Sequence, residues 1–569
     1  MAVPLIWKTQ TCDDAAAAAL AGALGVSPVV ARLLAIRGLA DPEVAARFLQ
    51  PSLDHLLDPF GLTDMDRAVA RLERAIAQGE TIAVHGDYDV DGITSTVILR
   101  RTLELLGGRV VHFIPDRLRD GYGLQPATLE RLHAEGVQVV VSVDCGIRGA
   151  EAARRARELG LDLVITDHHE PDHELPVCTA VVNPKRHDCA YPDKNLAGVG
   201  VALKLVQALC GRAGKGQWLP AFVKIAAIGT LADVVPLVGE NRVIARLGLQ
   251  MLSKGPHKVG LRALLDVAGL TGKTIDSYHI SFMLAPRVNA AGRMATPDIA
   301  MRLLLASDER LADEARALAD QLDAENTRRR AEEQDIVAKA RKIIDSDPEV
   351  GAHSLLVVAG EGWHRGVIGI VASKIVDAYY RPAIVLSIDN GIAHGSCRSI
   401  PGFDMLAALE SVAPLLLRFG GHKQAAGLQI ETSRIREFRQ SLADYADARL
   451  GPDDLRPRLW LDAPLAFPRI DQRLAAELAQ LAPFGAGNPR PKFFTGPVEV
   501  VDGPRRLKDR HLKMTVKQDG RVFRAIAWNA VEREALVQER RGGLELAFTI
   551  EENEYMGDKY LELRLEDFR

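Results

Sequence analysis

The sequence predicts a multidomain α/β protein with a mostly parallel sheet, a long connecting helix, a second α/β domain and a C-terminal β-barrel. Apolar strand-like runs alternate with amphipathic helices from Thr81 to about Asp233, and the alternation resumes near Ser354. Residues 308–346 contain no glycine or proline and repeat apolar residues at helical spacing. After Asp454, short β-like pieces separated by Gly and Pro turns indicate a small barrel.

These changes of pattern predict the domain boundaries. A chain of 569 residues is too long for one compact core. We expect an N-terminal helical segment at 1–80, a first α/β domain at 81–305, a connecting helix at 306–350, a second α/β domain at 351–452 and a barrel at 453–569.

The elements of the N-terminal segment and the first domain follow in order. Capping signals such as Asp41-Pro42 precede amphipathic runs in the N-terminal segment. The predicted strands of the first sheet are TIAVH, RVVHFI, VQVVVSV, LDLVIT and TAVVN. Helices such as STVILRRTLELL and PATLERLHAEG lie between the strands, which predicts helices on both faces of the sheet.

The second domain begins with the strand SLLVVAG, the helix GVIGIVASKIVDAYY and the strands PAIVLSID and IAHGSCRS. A further helix is predicted to run through Leu417, so that the run 420–423 follows a helix, and another helix is predicted at 433–450. The expected barrel strands lie within KFFTGPVEVVDG, HLKMTVKQDG, RVFRAIAWN, LELAFTIEENEY and KYLELRLED.

The composition limits the classes of function. The net charge is −4 and the pI is near 6.5, so a polyanion site must be a local patch rather than the whole surface. The cysteines form no CxxC pair, as expected of ordinary thiols in a reducing compartment. No apolar run reaches the ~20 residues of a membrane helix and the N-terminus lacks signal-peptide features, so we expect a cytoplasmic protein without membrane contact.

Polar side chains that suit a metal site follow three of the predicted strands. Because the carboxyl ends of parallel strands share one edge of a sheet, these groups are expected to meet there. Aspartates at every second position of an extended segment also share a face. In chain order, the side chains are His85, Asp87, Asp89, Asp91, Asp144, Asp167, His168 and His169.

Each part of this set, taken alone, has an ordinary interpretation. A D-x-D-x-D turn is often a solvated acidic loop, and Asp233 in GTLADVVPL suits the end of a helix. The combination of carboxylates and imidazoles, however, suits Mn²⁺ or Mg²⁺ and lacks the thiolates of a structural zinc site. Two such ions that share a carboxylate favour hydrolysis of a phosphate ester or anhydride.

The stretches VHGDYDVDG, SVDCG, TDHHE and LADVVPL resemble the motifs of the DHH phosphoesterase superfamily in order and spacing. GGHKQAAG at 420–427 is similar to the signature of its accessory DHHA1 domain. The superfamily also contains pyrophosphatases, exopolyphosphatases and phosphodiesterases of oligoribonucleotides or cyclic dinucleotides. These motifs therefore leave the substrate open.

Further stretches resemble the RecJ family of bacterial single-strand-specific 5′→3′ DNA exonucleases, from about residue 50 to the C-terminus. They are PDRLRDGYGL, APRVNAAGRM, GWHRGVIGIVASKI, HGSCRSIPGFD and PFGAGNPRPKF. The resemblance implies a metal-dependent exodeoxyribonuclease that releases mononucleotides from single-stranded DNA in repair and recombination.

The resemblance also implies a role for each of the residues His85, Asp87, Asp89, Asp91, Asp144, Asp167, His168, His169 and Asp233, which are together called the rim. Two ions, Mn²⁺ or Mg²⁺, are implied, one on His85, Asp89 and Asp144 and the other on Asp91, Asp144, His168 and Asp233. Catalytic or orienting roles are implied for Asp87, Asp167 and His169. Which of Asp87, Asp89 and Asp91 binds which ion stays open.

A set of substrate-binding residues is implied as well. Its members are Arg117, Tyr122, Arg287, Asn289, Arg293, Ser396, Arg398, Gly420, Gly421, His422 and Lys423. A glycine-containing loop is predicted to carry the three from 287 to 293 and to help hold a 5′ phosphate. For Arg117 and Tyr122, the alternative is an ordinary role in a loop. For Gly420 and Gly421, the alternative is a helix C-cap before a strand.

The predicted barrel is locally basic in a chain that is acidic overall. Between Arg490 and Arg524, ten Lys or Arg residues accompany four Asp or Glu residues. A basic small barrel with nearby aromatic residues, Phe493, Phe494, Phe523 and Trp528, resembles an OB-like fold that tracks single strands, although core packing is the alternative for most of these aromatics. We expect a monomer that binds single-stranded DNA and receives it from a helicase and a single-strand-binding protein.

Two other functions compete with this interpretation. One is a phosphodiesterase of short oligoribonucleotides or cyclic dinucleotides, whose relatives usually lack the barrel segment. The other is a catalytically silent DNA-binding scaffold, which is expected to have lost metal ligands, whereas the set here is complete.

Overall fold

The computed structural model describes residues 4–116, 120–121, 123–555 and 558–569. The helices are α1 Asp14–Leu24, α2 Pro28–Ile36, α3 Pro42–Leu49, α4 Met65–Gln78, α5 Val90–Leu105, α6 Pro126–Ala134, α7 Ala150–Glu158, α8 Gly198–Arg212, α9 Leu219–Ala232, α10 Gly239–Lys254, α11 Val259–Val267, α12 Ala285–Met294, α13 Asp298–Leu305, α14 Ala312–Ser346, α15 Pro348–Gly351, α16 Ile368–Tyr379, α17 Met405–Ser411, α18 Ile435–Asp447, α19 Gln472–Ala479 and α20 Glu534–Glu539. The strands are β1 Ile6–Thr9, β2 Thr81–His85, β3 Arg109–Phe113, β4 Val139–Val143, β5 Asp162–Thr166, β6 Ala180–Val182, β7 Leu356–Glu361, β8 Ala383–Asp389, β9 Ile392–Arg398, β10 Leu416–Gly421, β11 Ala425–Glu431, β12 Arg458–Leu461, β13 Ala463–Pro464, β14 Phe493–Leu507, β15 His511–Gln518, β16 Arg521–Ala527, β17 Leu544–Tyr555 and β18 Asp558–Phe568.

The described chain folds into two compact units. The first unit comprises Cys12–Asn326 and Gln472–Pro491, and the second comprises residues 4–11 together with Thr327–Asp471 and Lys492–Arg569. The helix predicted from the Gly- and Pro-free stretch is confirmed as α14, which runs without a break. Asp41 is confirmed as a helix cap, because its carboxylate accepts hydrogen bonds from the Glu43 and Val44 amides at the start of α3.

The sheet of the first unit has the strand order β3-β2-β4-β5-β6, and all neighbours are parallel, as predicted. Successive side chains of a strand point to opposite faces, so Val84 packs with α4, α5, α8 and α9, while Ala83 packs with α6 and α7. Both faces are therefore buried, which explains why the strands are apolar throughout.

One late segment belongs to the first unit although it lies far along the chain. Arg242 of α10 is buried, and its guanidinium donates to the carbonyl oxygens of Gln480, Leu481 and Ala482 at 3.0, 3.0 and 3.2 Å. The same guanidinium lies 3.5 Å from the centre of the Phe48 ring. These contacts fix Gln472–Pro491 to the helices that follow the sheet.

The second unit contains a mixed sheet with the strand order β10-β11-β9-β8-β7, in which only β7 and β8 are parallel neighbours. The predicted helix through Leu417 is wrong. Helix α17 ends at Ser411, and Pro414 cannot donate the backbone hydrogen bond that would continue it. Residues 416–421 instead pair with β11 as strand β10, so Gly420 and Gly421 end a strand and do not follow a helix.

The predicted barrel is confirmed in the second unit. Strands β14, β15, β16, β18 and β17 are neighbours in that order, and β17 pairs with β14 to close the ring. Phe493 and Phe523 pack inside it, whereas Trp528 is half exposed with its ring 4.5 Å from the His511 ring. Among the described residues, no helix combines the length and the apolar character needed to cross a bilayer.

Candidate metal centre

The carboxyl ends of β2, β4 and β5 lie side by side at one edge of the first sheet. His85 is the last residue of β2, Asp144 directly follows β4, and the run 167–169 directly follows β5. The topology thus brings together the polar residues predicted to meet there. The side chains of His85, Asp144, Asp167 and His168 are buried, which is unusual for so many ionisable groups unless they bind something.

The acidic loop after β2 does not stay extended as predicted. Helix α5 begins at Val90, and Asp89 caps it by accepting a hydrogen bond from the Gly92 amide at 3.1 Å. A Cβ atom on Gly92 would lie 2.5 Å from the Asp87 amide, so only glycine allows this tight approach. Helix α5 therefore begins earlier than the predicted helix STVILRRTLELL, and Asp91 lies in its first turn.

Asp144 lies at the most crowded point of the rim. Its backbone is left-handed, with φ of 60°, a conformation that aspartate and asparagine tolerate better than most residues. Gly198, at the start of α8, packs so closely that a Cβ atom there would lie 2.4 Å from Asp144 Oδ1. That oxygen is buried and accepts no hydrogen bond of good geometry within the described residues.

His168 lies among three carboxylates. Its Nε2 atom is 3.2 Å from Asp144 Oδ1, 3.7 Å from Asp233 Oδ2 and 4.0 Å from Asp91 Oδ2. Asp91 is held by the amides of Gly198 and Val199, each at 2.7 Å from one of its oxygens. The start of α8 thus fixes one metal-ligand candidate and touches another.

Asp167 orients its neighbours through hydrogen bonds and belongs to none of the groups of possible metal ligands within the described residues. One of its oxygens accepts from the amides of His168 and His169 at 2.7 and 3.1 Å, and from the His169 ring at 2.7 Å. The other accepts from the Ile147 amide at 2.9 Å. Burial acts to raise the pKa of Asp167, but these hydrogen bonds outweigh it and lower that pKa.

Burial shapes the charge of the remaining groups. It lowers the pKa of His85 and of His168 to about 4, so both imidazoles are neutral at pH 7 and able to bind a metal. Burial and the neighbouring carboxylates raise the pKa of Asp91 and of Asp144 well above the usual value. A bound cation would stabilise the ionised form of carboxyl groups that lie so close together.

The donor set fits a divalent cation. Within the described residues, three groups bring ligand atoms within 4.8 Å of one another, namely Asp91 with His168 and Asp233, Asp87 with Asp89 and Asp144, and Asp144 with His168 and His169. His85 is in none of these groups. Its Nε2 atom is nevertheless buried without a hydrogen-bond partner in the described structure, as are Asp144 Oδ1 and His168 Nε2.

We expect the charge on Asp233 to make the metal-free protein pH-sensitive. Burial and then Asp89 raise the pKa of Asp233 to about 7. A carboxyl group whose pKa is higher in the folded than in the unfolded state stabilises the fold at low pH, and this contribution is lost as the pH rises through about 7. In EDTA, the free energy of unfolding of Asp233→Asn should rise relative to that of the wild type by about 1 kcal/mol per pH unit between about pH 5 and 7.

Urea unfolding of both proteins at several pH values measures this gain. Asp54→Asn, at an exposed carboxylate far along the chain from the rim, is the matched control and should show no such trend. A gap between Asp233→Asn and the wild type that does not change with pH would contradict the assignment of Asp233 to this charged cluster.

The first group of predicted substrate-binding residues lies in a helix, so the predicted loop is wrong. Arg287, Asn289 and Arg293 belong to α12, and Gly292 in that helix does not make a turn. A Cβ atom on Gly292 would lie 2.7 Å from the Tyr88 carbonyl oxygen, so this glycine serves close packing against the acidic loop. Asn289 accepts a hydrogen bond from the Val90 amide at 3.1 Å.

Arg287 is committed to contacts inside the first unit. Its guanidinium donates to Asp323 at 2.8 Å and to the carbonyl oxygens of Met283 and Val267 at 2.5 and 3.4 Å. It therefore anchors α12 to α14, and the phosphate role predicted for Arg287 and Arg293 stays a prediction. Arg117 and Tyr122 lie outside the described residues.

The remaining predicted residues belong to the sheet of the second unit, on β9, at the end of β10 and in the turn from β10 to β11. Ser396 and Arg398 are on β9, and Arg398 Nη1 lies 3.3 Å from Ser396 Oγ. A Cβ atom on Gly369, in the first turn of α16, would lie 3.1 Å from Ser396 Oγ and 3.3 Å from Arg398 Nη2. A cation, a hydroxyl group and the positive end of a helix thus adjoin one another.

Gly420 and Gly421 end β10, and His422 and Lys423 form the turn into β11. The His422 amide donates to the Ala425 carbonyl oxygen at 2.8 Å, which closes the turn. Gly421 has φ of 148°, and a Cβ atom there would lie 2.4 Å from that same oxygen. Both side chains of the turn are exposed, and Lys423 Nζ lies 3.7 Å from Asp404.

Sequence reasoning missed the residues that support the rim from behind. Gly198 and Val199 are the clearest case, and the signal available for them was the glycine-rich start of an apolar helix, AGVG. Asn241 is another, because it donates to the carbonyl oxygens of Asn195 and Pro236 at 2.5 and 3.1 Å. It therefore ties the approach to α8 to the segment after Asp233, and nothing in the sequence marks it.

Three family models and several known proteins match this chain. Residues 81–230 match the DHH family N-terminal domain, 352–448 the DHHA1 domain and 461–567 the RecJ OB domain. The single-stranded-DNA-specific exonuclease RecJ of Bacillus subtilis is 38% identical over 575 aligned positions, which cover 100% of this chain and 71% of that protein. The protein of the same name from Escherichia coli is 34% identical, and 95% of each chain is covered.

A solved structure shows the same fold. The crystal structure of RecJ in complex with Mn²⁺ from Thermus thermophilus matches with a TM-score of 0.84 at 34% identity, covering 99% of this chain and 79% of that chain. The Mg²⁺ complex from the same organism matches with a TM-score of 0.79 at 32% identity, covering 99% and 78%. Similarity of this extent along nearly the whole chain means that this protein belongs to the RecJ family.

Proposed function

We propose that this chain is a single-strand-specific exonuclease that removes mononucleotides from the 5′ end of DNA with two divalent metal ions. The observation that carries the proposal is the buried rim, where carboxylates and neutral imidazoles converge without enough hydrogen-bond partners of their own. Membership of the RecJ family supports the substrate, because the relatives compared above are named for single-stranded DNA.

The ligand groups support two positions for Mn²⁺ or Mg²⁺. One position is supported by Asp91, His168 and Asp233, and the other by Asp89 and Asp144, with Asp87 close to both. His85 is proposed as a further ligand of the second position. When bound, the ions supply positive charge for the scissile phosphate and for the attacking and leaving oxygens.

Other residues of the rim prepare this site. Asp167 holds the backbone and ring of His169, and this interaction outweighs burial and raises the pKa of His169. We propose that His169 carries a proton and places a positive charge beside the scissile phosphate. Asp87 is proposed to orient the groups around it.

The strand itself is proposed to bind at basic groups of the two units. Arg293 on α12 is the preferred ligand of a 5′ phosphate in the first unit. In the second unit, Ser396 and Arg398 beside the start of α16 suit another phosphate, and the exposed turn of Gly420, Gly421, His422 and Lys423 suits a third. The basic barrel is proposed to bind the strand as well.

The biological setting stays a proposal. A monomer in the cytoplasm that takes part in DNA repair and recombination is consistent with the family. Delivery of the strand by a helicase and a single-strand-binding protein is proposed because the enzyme needs a single-stranded end.

Strand selectivity tests the proposal. A 5′-phosphorylated oligonucleotide is incubated with the enzyme and Mn²⁺ alone, as a blunt duplex, and with its 5′ end blocked by a bulky group. We expect rapid digestion of the free single strand, slow digestion of the duplex and protection by the block. Equal rates on single strand and duplex would refute the selectivity, and digestion despite the block would refute attack from the 5′ end.

A further inference from the structure

Two exposed aromatic rings stack on each other at the surface of the first unit. Tyr278 and Phe282 have ring centroids 5.1 Å apart at an angle of 29°, and they are 61% and 60% exposed. A single exposed apolar residue is ordinary, but two large stacked rings with open faces are an unusual use of surface. No role of the rim explains them.

The backbone holds this pair in place. Phe282 lies in a π-helical turn, His279–Leu284, that runs directly into α12. Ile280 and Leu284 of the turn are buried in the core, so the pair lies on its opposite, outer side. The carboxylate of Asp276 accepts from the His279 amide at 3.0 Å and fixes the start of the turn. π-helical turns are rare and are frequent at functional sites.

The same turn is attached to the metal centre. Ser281 Oγ donates to the Leu231 carbonyl oxygen at 3.1 Å, two residues before Asp233. Asn289, farther along the same helical run, accepts from the Val90 amide next to Asp91. The aromatic pair is therefore carried by an element that is fixed to two of the segments that supply the metal-ligand candidates.

We propose that Tyr278 and Phe282 form a stacking platform for a base of the single strand whose phosphate is cut at the rim. This inference rests on the proposed function and adds a binding site to it. Aromatic side chains bind single strands by stacking on bases, whatever the base. Bases inside a duplex already stack on their neighbours, so the platform favours single strands.

Strand binding without cleavage tests the platform. Tyr278→Ala, Phe282→Ala and the double variant are compared with the wild type, using fluorescein-labelled oligo(dT) in EDTA and fluorescence anisotropy. Loss of one stacked base costs about 1–3 kcal/mol, so the double variant should bind about 5- to 150-fold more weakly. Tyr278→Phe keeps the ring and should bind like the wild type. Phe60→Ala removes an exposed ring elsewhere in the first unit and is the matched control.

The outcomes separate this inference from the proposed function. If the wild type binds and degrades single strands but the alanine variants bind oligo(dT) equally well, the platform is overturned, and a surface for a protein partner becomes the better explanation of the pair. If the alanine variants bind more weakly and Tyr278→Phe also binds more weakly, and all of them melt at a lower temperature than the wild type, the effect is structural and the platform is also overturned. If the wild type neither binds nor degrades single strands, the proposed function itself fails.

Discussion

Asp144→Asn is expected to reduce DNA cleavage by about three orders of magnitude and to raise the melting temperature of the metal-free protein. A metal ion contributes several kcal/mol of stabilisation to developing charge, and about 4 kcal/mol corresponds to a thousandfold in rate. The carboxylate of Asp144 is buried beside other carboxylates and costs stability when no cation is bound. Asparagine keeps the left-handed backbone at this position while it removes the charge.

Initial rates with Mn²⁺ and melting curves in EDTA and in Mn²⁺ measure both effects. We expect Mn²⁺ to raise the melting temperature of the wild type much more than that of the variant. Asp54→Asn should leave all of these quantities unchanged. An Asp144→Asn enzyme with near-normal rates, or one that melts lower than the wild type in EDTA, would contradict the placement of Asp144 at the centre of the site.

Gly198→Ala is expected to damage the same site without removing any ligand. The added methyl group would lie 2.4 Å from Asp144 Oδ1 and 2.6 Å from Asp144 Cγ, so either α8 or that carboxylate must shift. Overpacking of this kind costs about 1–3 kcal/mol of stability. A displaced ligand or supporting group lowers metal affinity or activity by about 10- to 100-fold.

Gly211→Ala provides the matched control on the same helix. Gly211 is exposed near the end of α8, and a Cβ atom there meets nothing within 4 Å. Alanine is favoured over glycine in a helix by up to about 1 kcal/mol, so this variant should be slightly more stable and fully active. Titration calorimetry with Mn²⁺ and chemical denaturation distinguish the two variants. Equal Mn²⁺ affinity in Gly198→Ala and Gly211→Ala would show that the start of α8 does not shape the metal site.

The parts of the fold that depend on periodic patterns could be predicted from the sequence. The buried strands of the first sheet are apolar throughout, and each ends near its predicted residue, which placed His85, Asp144 and His168 on one edge. The long helix α14 followed from the absence of glycine and proline. The barrel followed from short strands separated by turn residues.

Features that depend on tertiary contacts could not be predicted. The acidic loop reads as extended by its alternating aspartates, but packing of Gly92 against Asp87 lets α5 begin at Val90. Strand β10 was missed because its pairing with β11 is a tertiary contact and its own residues have no clear alternation. The helical state of APRVNAAGRM was hidden by its proline and glycine, which serve the helix start and close packing against Tyr88.

The supporting residues of the site were missed for the same reason. Backbone amides at the start of α8 carry no side-chain signal, yet they hold Asp91. Asn241 is an ordinary polar residue in an amphipathic helix until the structure shows it bonded to Asn195 and Pro236. Chemistry-bearing side chains are thus visible in a sequence, whereas the backbone amides and ordinary polar residues that position them are much harder to recognise.

A digest of end-labelled single strands tests the central claim most directly. The same oligonucleotide is labelled at its 5′ or its 3′ end and incubated with the enzyme in Mn²⁺, in Mg²⁺ and in EDTA. The proposed mechanism predicts that a 5′ label is released at once as a mononucleotide, that a 3′ label stays on a shrinking series of fragments, and that EDTA stops both. Immediate release of a 3′-labelled mononucleotide, or unchanged cleavage in EDTA, would contradict it.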